Sequence, residues 1–108
     1  PSAFPPEHFQ IVLCCETLEH VERWRESIEG MWHVLKPHGF LTITTPTQEK
    51  GRHNYPSDYW RWTLEDYAHI FADQKIHRRQ LTYERGIGVV VEKLTDTLYL
   101  DIEPYEVP

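Results

Sequence analysis

This chain of 108 residues has only two cysteines, no CxxC pair, and no apolar run near the ~18 residues that a membrane-crossing helix needs. A zinc ribbon and a transmembrane span are therefore not expected. The proline-rich start lacks the basic-then-apolar order of a secretory signal. Cys14 and Cys15 are neighbours within an apolar stretch, where a bond between them would be strained, so they read as buried free thiols in a reducing compartment. Together these features predict a cytoplasmic location. Basic excess is also missing: 11 Lys and Arg against 17 Asp and Glu give a formal charge of -6, which argues against generic DNA binding. There is no internal repeat and no low-complexity segment. What is present is 40% hydrophobic residues with 4 Trp, 6 Tyr and 4 Phe, enough for the core of one small folded domain.

Along the chain, residues 1–7 read as a linker or a cut edge, because prolines at 1, 5 and 6 remove amide donors, and residues 8–108 read as the folded part. Residues 9–15 are apolar, rich in β-branched side chains and too short for a helix, which predicts a buried strand. From Val21 the apolar positions Trp24, Ile28, Met31, Trp32 and Leu35 step by three and four along one helix face, with Glu22, Arg23, Arg25, Glu26 and Glu29 on the solvated side. Pro37 and Gly39 are expected to stop that helix, with Gly39 taking the positive φ of the exit. Residues 40–45 then predict a second strand, parallel to the first, because a crossover containing a helix joins them.

Residues 46–62 show no clear period but hold Lys50, Arg52, His53, Tyr55, Asp58, Tyr59, Trp60, Arg61 and Trp62, the composition of a binding loop. Thr63-Leu-Glu-Asp66 reads as a capping box that opens a helix with Leu64, Tyr67, Ala68 and Phe71 on its apolar side, ending near Asp73. Residues 75–83 suit a strand, and Gly86 and Gly88 read as a turn. Beyond them Ile87, Val90, Val91, Leu94 and Leu98 fit a helix while Leu98, Leu100 and Ile102 alternate, so periodicity leaves helix and strand open.

Two stretches, His8-Phe-Gln-Ile-Val-Leu-Cys-Cys-Glu-Thr-Leu-Glu-His-Val21 and Trp32-His-Val-Leu-Lys-Pro-His-Gly-Phe-Leu-Thr-Ile-Thr-Thr-Pro46, resemble the second half of a class I S-adenosylmethionine-dependent methyltransferase of the type 11/12 kind. The family pattern is a Phe-Asp strand start, a Leu-Glu-His-Val strand exit, and Arg-Val-Leu-Lys-Pro-Gly-Gly leading into the next strand. His53-Asn-Tyr-Pro-Ser-Asp-Tyr-Trp-Arg-Trp-Thr63 resembles a proline-aromatic loop over the acceptor pocket in one branch of that superfamily. The departures are Gln10 for Asp, His33 for Arg and His38 for the first Gly of the pair. The resemblance implies an α/β fold: a partial Rossmann-like sheet, the second half of a doubly wound fold, with βαβ followed by a helix and carboxyl-terminal strands. It also implies that the glycine-rich turn and the ribose-binding acid lie upstream of Pro1; Gly86-Ile-Gly88 does not substitute for that turn.

By the same resemblance, Cys14, Cys15 and Glu16 would lie beside the methionine part of S-adenosylmethionine. Glu16 or His20 would serve as the base that removes an acceptor proton, the bland alternative being that His20 caps the helix start or bonds backbone. Glu16, Glu19 and His20, with His53 as a fourth ligand, match an arrangement that in some relatives holds a divalent ion such as magnesium, manganese or zinc. Residues three and four apart share a helix face, which would let them converge. His53, Tyr55, Tyr59, Trp60 and Arg61 would contact a small-molecule, sugar-like or nucleotide-like acceptor, unless the loop packs on itself through an Asp58–Arg61 pair. Two functions follow: a methyltransferase fragment inactive without its amino-terminal half, or a non-catalytic module that oligomerises through the exposed edge of residues 11–15.

Overall fold

A computed structural model describes residues 4–47, 58–83 and 86–108. The main sheet has four strands, β1 (Phe9–Cys15), β2 (Leu35–Pro46), β5 (Gly86–Glu92) and β4 (Lys75–Tyr83), in that spatial order. Between them along the chain come α1 (Trp24–Val34), the two-residue strand β3 (Trp60–Arg61) and α2 (Leu64–Ile70), and β6 (Tyr105–Glu106) lies near the carboxyl terminus. β1 and β2 are parallel, with Ile11 opposite Phe40 and Cys15 opposite Thr44, as a helical crossover requires. β5 runs antiparallel to both β2 and β4.

Period-2 alternation sorts the sheet into two faces. Cys14, Leu41, Ile43, Ile87, Val89 and Val91 join Trp24, Ile28 and Trp32 of α1 and Tyr67 and Ile70 of α2 in one core cluster, so both helices pack on the same face. The opposite face begins with Ile11 and Leu13, which are 59% and 68% exposed. They lie on β1, an edge strand among the described residues.

The end of α1 is where the sequence expectation needs correction. A helix leaves its last four carbonyls without partners. Here Lys93 donates its Nζ protons to Trp32 O at 2.7 Å and Leu35 O at 2.9 Å. The amides of Glu7 and His8 donate to His33 O and Val34 O. All four carbonyls are met by residues remote in sequence, and the chain turns directly into β2 at Leu35, two residues before Pro37. The positive φ belongs to His38, at 64°, and not to Gly39. Glycine would adopt this φ without strain. The His38 imidazole is held by its Nδ1 contact with Glu92 Oε2 at 2.8 Å, while His77 takes the other oxygen at 2.7 Å. Gly39 has a different reason: a Cβ there would come within 2.8 Å of Gln10 O and 2.9 Å of Lys36 O, so only hydrogen lets β1 approach β2 this closely.

The expected turn at Gly86 and Gly88 is also corrected. Both lie within β5, paired with Pro46 and Thr44, because the β-branched run Val89-Val90-Val91 favours a strand over a helix. The alternation of Leu98, Leu100 and Ile102 belongs to an extended strap without sheet pairing, which lays these side chains against the core. α2 opens with the expected capping box, Thr63 Oγ1 accepting from Asp66 N at 3.0 Å and Asp66 Oδ2 from Thr63 N at 2.9 Å. Among the described residues no helix is long and apolar enough to cross a membrane.

Candidate functional site at the carboxyl rim of β1 and β2

Parallel strands that end together leave their last backbone groups at a shared rim, and open α/β sheets bind ligands there. β1 ends at Cys15, and the next residue, Glu16, adopts φ 51°. Its amide donates to Thr44 O at 2.9 Å and lies 3.2 Å from Thr44 Oγ1, which fixes the turn to the end of β2. Thr17 Oγ1 donates back to Cys15 O at 3.0 Å. The chain then makes one 3-10 turn, Leu18–His20, closed by His20 N to Thr17 O. α1 begins only at Trp24, and its N-cap residue is Arg23, so His20 does not cap it.

The two thiols divide. Cys14 is buried and Cys15 exposed, which corrects the expectation that both are buried: successive strand residues point to opposite faces, and only one face carries the helices. Burial, with the Glu19 carboxylate nearby, pushes the Cys14 thiol up to about 11. It is neutral and a poor nucleophile.

Glu19 is fully buried, and neither carboxylate oxygen has a hydrogen-bond partner among the described residues; His20 Nε2 is 3.5 Å from one of them. Desolvation raises its pKa from the ordinary carboxylate value, with the Glu16 charge adding to the rise, and a local backbone N–H and the His20 and Arg61 charges offset this only in part. Tyr67 stands close behind, wholly buried, its phenol held at 2.6 Å from Thr45 Oγ1 and pushed well up by desolvation. Thr45 and Tyr67 escaped the sequence reading of the site because their spacing marks them as ordinary core positions.

The shared helix face expected of the ion-binding set is corrected on this geometry. Glu16, Glu19 and His20 do not share an α-helical face, because Glu16 sits in a left-handed turn and Glu19 faces the core. Among the described residues no group of three His, Cys, Asp or Glu side chains is placed to hold a metal ion. His53 and Tyr55 lie outside the described residues.

Residues 58–62 are packed as the self-packing alternative anticipated. Arg61 is buried and forks onto Asp58 through bonds of 2.6 and 2.8 Å, with a further bond to Trp60 O at 2.7 Å. Its guanidinium is thus engaged inside the protein. Trp60 Nε1 donates to Val21 O at 2.9 Å, and Tyr59 N donates to Glu19 O at 2.9 Å. Tyr59 and Trp60 therefore lie against the rim turn, half-buried, with ring centroids 6.3 Å apart.

Comparison with known proteins agrees with the resemblance read from the sequence. The family model described as a methyltransferase domain matches residues 2–43. A structure assigned as a type 11 methyltransferase from Sulfolobus solfataricus superposes with a TM-score of 0.66 at 18% identity, covering 86% of this chain and 54% of that one. An S-adenosylmethionine-dependent methyltransferase from Aquifex aeolicus gives a TM-score of 0.62 at 16% identity over 84% of this chain and 49% of that one. The DszA carbon methyltransferase gives 0.57 at 12% identity, covering 85% and 30%. No curated protein matches the chain. The chain has the Rossmann-like fold of class I methyltransferases, and it spans about half the length of the first two of these structures.

Proposed function

We propose that residues 8–108 form the acceptor-side half of an S-adenosylmethionine-dependent methyltransferase domain acting on a small molecule. The observation that supports this reading is the tie of the Glu16 amide to Thr44 at the joint end of two parallel strands, the segment to which Cys14, Cys15 and His20 also belong. The rim chemistry fits the methionine end of the cofactor. A cationic sulfonium favours the acidic Glu16, and the neutral Cys14 thiol does not compete for the methyl group. When bound, the cofactor supplies an electron-poor methyl carbon. Among the described residues there is no glycine-rich turn to admit its adenosine end.

The residues here would then position and deprotonate. In-line transfer depends chiefly on alignment, and a base is needed only where the acceptor loses a proton. His20 or Glu16 fills that role at the rim, while Tyr59 and Trp60 contact the acceptor; the sequence resemblance adds His53 and Tyr55 to that set. Arg61 acts indirectly by fixing Asp58 and the backbone of this segment. Titrating S-adenosylmethionine into the nitrogen-15-labelled chain tests the proposal. Half a pocket predicts an affinity near millimolar, about 4 kcal/mol, with amide shifts confined to residues 14–20. Absent shifts, or shifts centred elsewhere, would refute the site; micromolar binding would refute the half-pocket.

A second reading is favoured by the β1 edge. Its residues 9–15 carry no charge, and Ile11 and Leu13 are exposed, whereas proteins ordinarily protect such an edge. On this reading the chain is a non-catalytic module that oligomerises by strand pairing. A concentration-independent monomer in sedimentation, with fast exchange of the β1 amides, would eliminate it.

A further inference from the structure

We infer that the carboxyl-terminal strap, residues 94–107, is a positioning element for the rim, acting through a backbone relay that ends on the turn carrying Glu19 and His20. Val107 N donates to Tyr59 O at 2.8 Å, and Tyr59 N donates to Glu19 O at 2.9 Å. One peptide segment thus links the strap to the turn. β6 and β3 pair beside it, with Tyr105 opposite Arg61 and Glu106 opposite Trp60, and the indole of Trp60 holds Val21 O, the carbonyl of the residue that caps the turn.

The strap is itself anchored on both helices. Arg25 of α1 donates Nε to Leu100 O at 2.8 Å and a terminal nitrogen to Ile102 O. Trp32 Nε1 donates to Thr95 O at 3.0 Å. On the α2 side, Tyr99 N reaches Ile70 O at 3.0 Å, and the Tyr99 hydroxyl donates to Asp73 at 2.9 Å. The anchors lie more than thirty residues from the rim turn in sequence, apart from Arg25 and Trp32. The only secondary structure within the strap is the two-residue β6, so its position depends on these bonds, on those of Gln74 to Leu94, Thr95 and Thr97, and on the packing of Leu98, Leu100 and Ile102 against the core.

The rim turn, in contrast, has little local support. It is a single 3-10 turn whose N-cap residue, Thr17, makes no side-chain cap bond. It follows a residue at positive φ, and its central carboxylate is buried with no partner of hydrogen-bonding geometry among the described residues. Holding such a turn requires partners from outside, and Tyr59 and Trp60 supply two of them at its carbonyls. Where the strap docks, the acceptor-side segment is held against the turn. Where it lifts, Tyr59 loses one of its two backbone partners and the turn loses its brace. This bears on methyl transfer through the functional reading above, but the relay can be measured without donor or acceptor.

Amide hydrogen exchange of the full chain, read by NMR, tests it. Val107→Pro deletes the donor N–H, and Val107→Ala keeps it. Exchange of the Tyr59 amide should accelerate at least about tenfold in the proline variant and stay near the wild-type rate in the alanine variant, while β2–β5 amides such as that of Val89 hold. An unchanged Tyr59 rate in Val107→Pro, or equal acceleration in Val107→Ala, overturns the relay. Arg25→Gln releases the strap at Leu100 and Ile102 with the Val107 amide intact. It should also accelerate Tyr59, and failure to do so overturns the strap's role even if Val107→Pro prevents folding.

Discussion

Replacing Lys93 with Met is the most direct test of how this fold is held together. The ammonium is enclosed, with its side chain only 5% exposed, and it donates to two carbonyls at the end of α1. Asp96, 3.5 Å away and 95% exposed, adds little to that. Hydrogen bonds to a charged group contribute about 1.5–3 kcal/mol each, and the positive charge also complements the negative end of the helix dipole. Methionine fills a similar volume but leaves Leu35 O without this donor and Trp32 O with only the Leu35 amide. Because the two bonds share one donor and are not additive, the expected loss is about 3 kcal/mol, not twice the single value. Urea denaturation should show a lower midpoint at unchanged slope, and the melting temperature should fall by more than about 10 °C for a domain of this size. Lys36→Met, at an exposed position, serves as the control and should lie within about 0.5 kcal/mol of wild type. A Lys93→Met loss below about 1 kcal/mol would show that α1 does not depend on this cap, and the account of its termination would fail.

Two glycines should respond in opposite directions. Gly30→Ala should stabilise by about 1 kcal/mol, since its Cβ meets nothing within 4 Å, whereas Gly39→Ala should destabilise by about 1–3 kcal/mol by forcing β1 from β2; matching denaturation curves would refute the close-approach argument. Glu19→Gln should be more stable than wild type at neutral pH. A carboxyl whose folded pKa is raised resists ionisation in the fold, so wild type loses stability as pH rises from about 4.5 through the folded value, and the variant's advantage should vanish on acidification below that window. An advantage independent of pH would contradict the desolvation reading. Maleimide should label the native chain once, at the exposed Cys15, and twice in denaturant, because Cys14 is buried with its thiol pushed up to about 11. Rapid double labelling of the native chain would contradict that burial.

Much of this architecture could be read locally. The three-and-four spacing from Trp24 to Trp32, the capping box at Thr63 and the apolar run 9–15 each depend on neighbours in sequence, and the corresponding elements stand where they were expected, although β1 is not the buried strand its composition predicted: only Cys14 of its seven residues is buried, because the helices cover one face alone. The parallel pairing of β1 and β2 followed from the helix between them, which also brought the rim residues together. The glycine-containing strand β5 was misread because glycine marks turns by its own preference, while its place here depends on pairing with Thr44 and Pro46. The Glu16, Glu19 and His20 set was misjudged for a similar reason: helical spacing implies a shared face only if the residues are in one helix, and these span a left-handed residue and a 3-10 turn.

By itself the sequence determined the elements, the orientation of the first two strands and the resemblance to the methyltransferase fold, because periodicity and capping act over a few residues. Only the tertiary structure decided which polar groups are exposed and which are enclosed. It turned Glu19 inward, folded Arg61 onto Asp58, seated Lys93 beneath α1 and carried the strap back to Tyr59. Each of these depends on contacts between segments that no local pattern joins, and burial then sets the charge and reach of every group at the site.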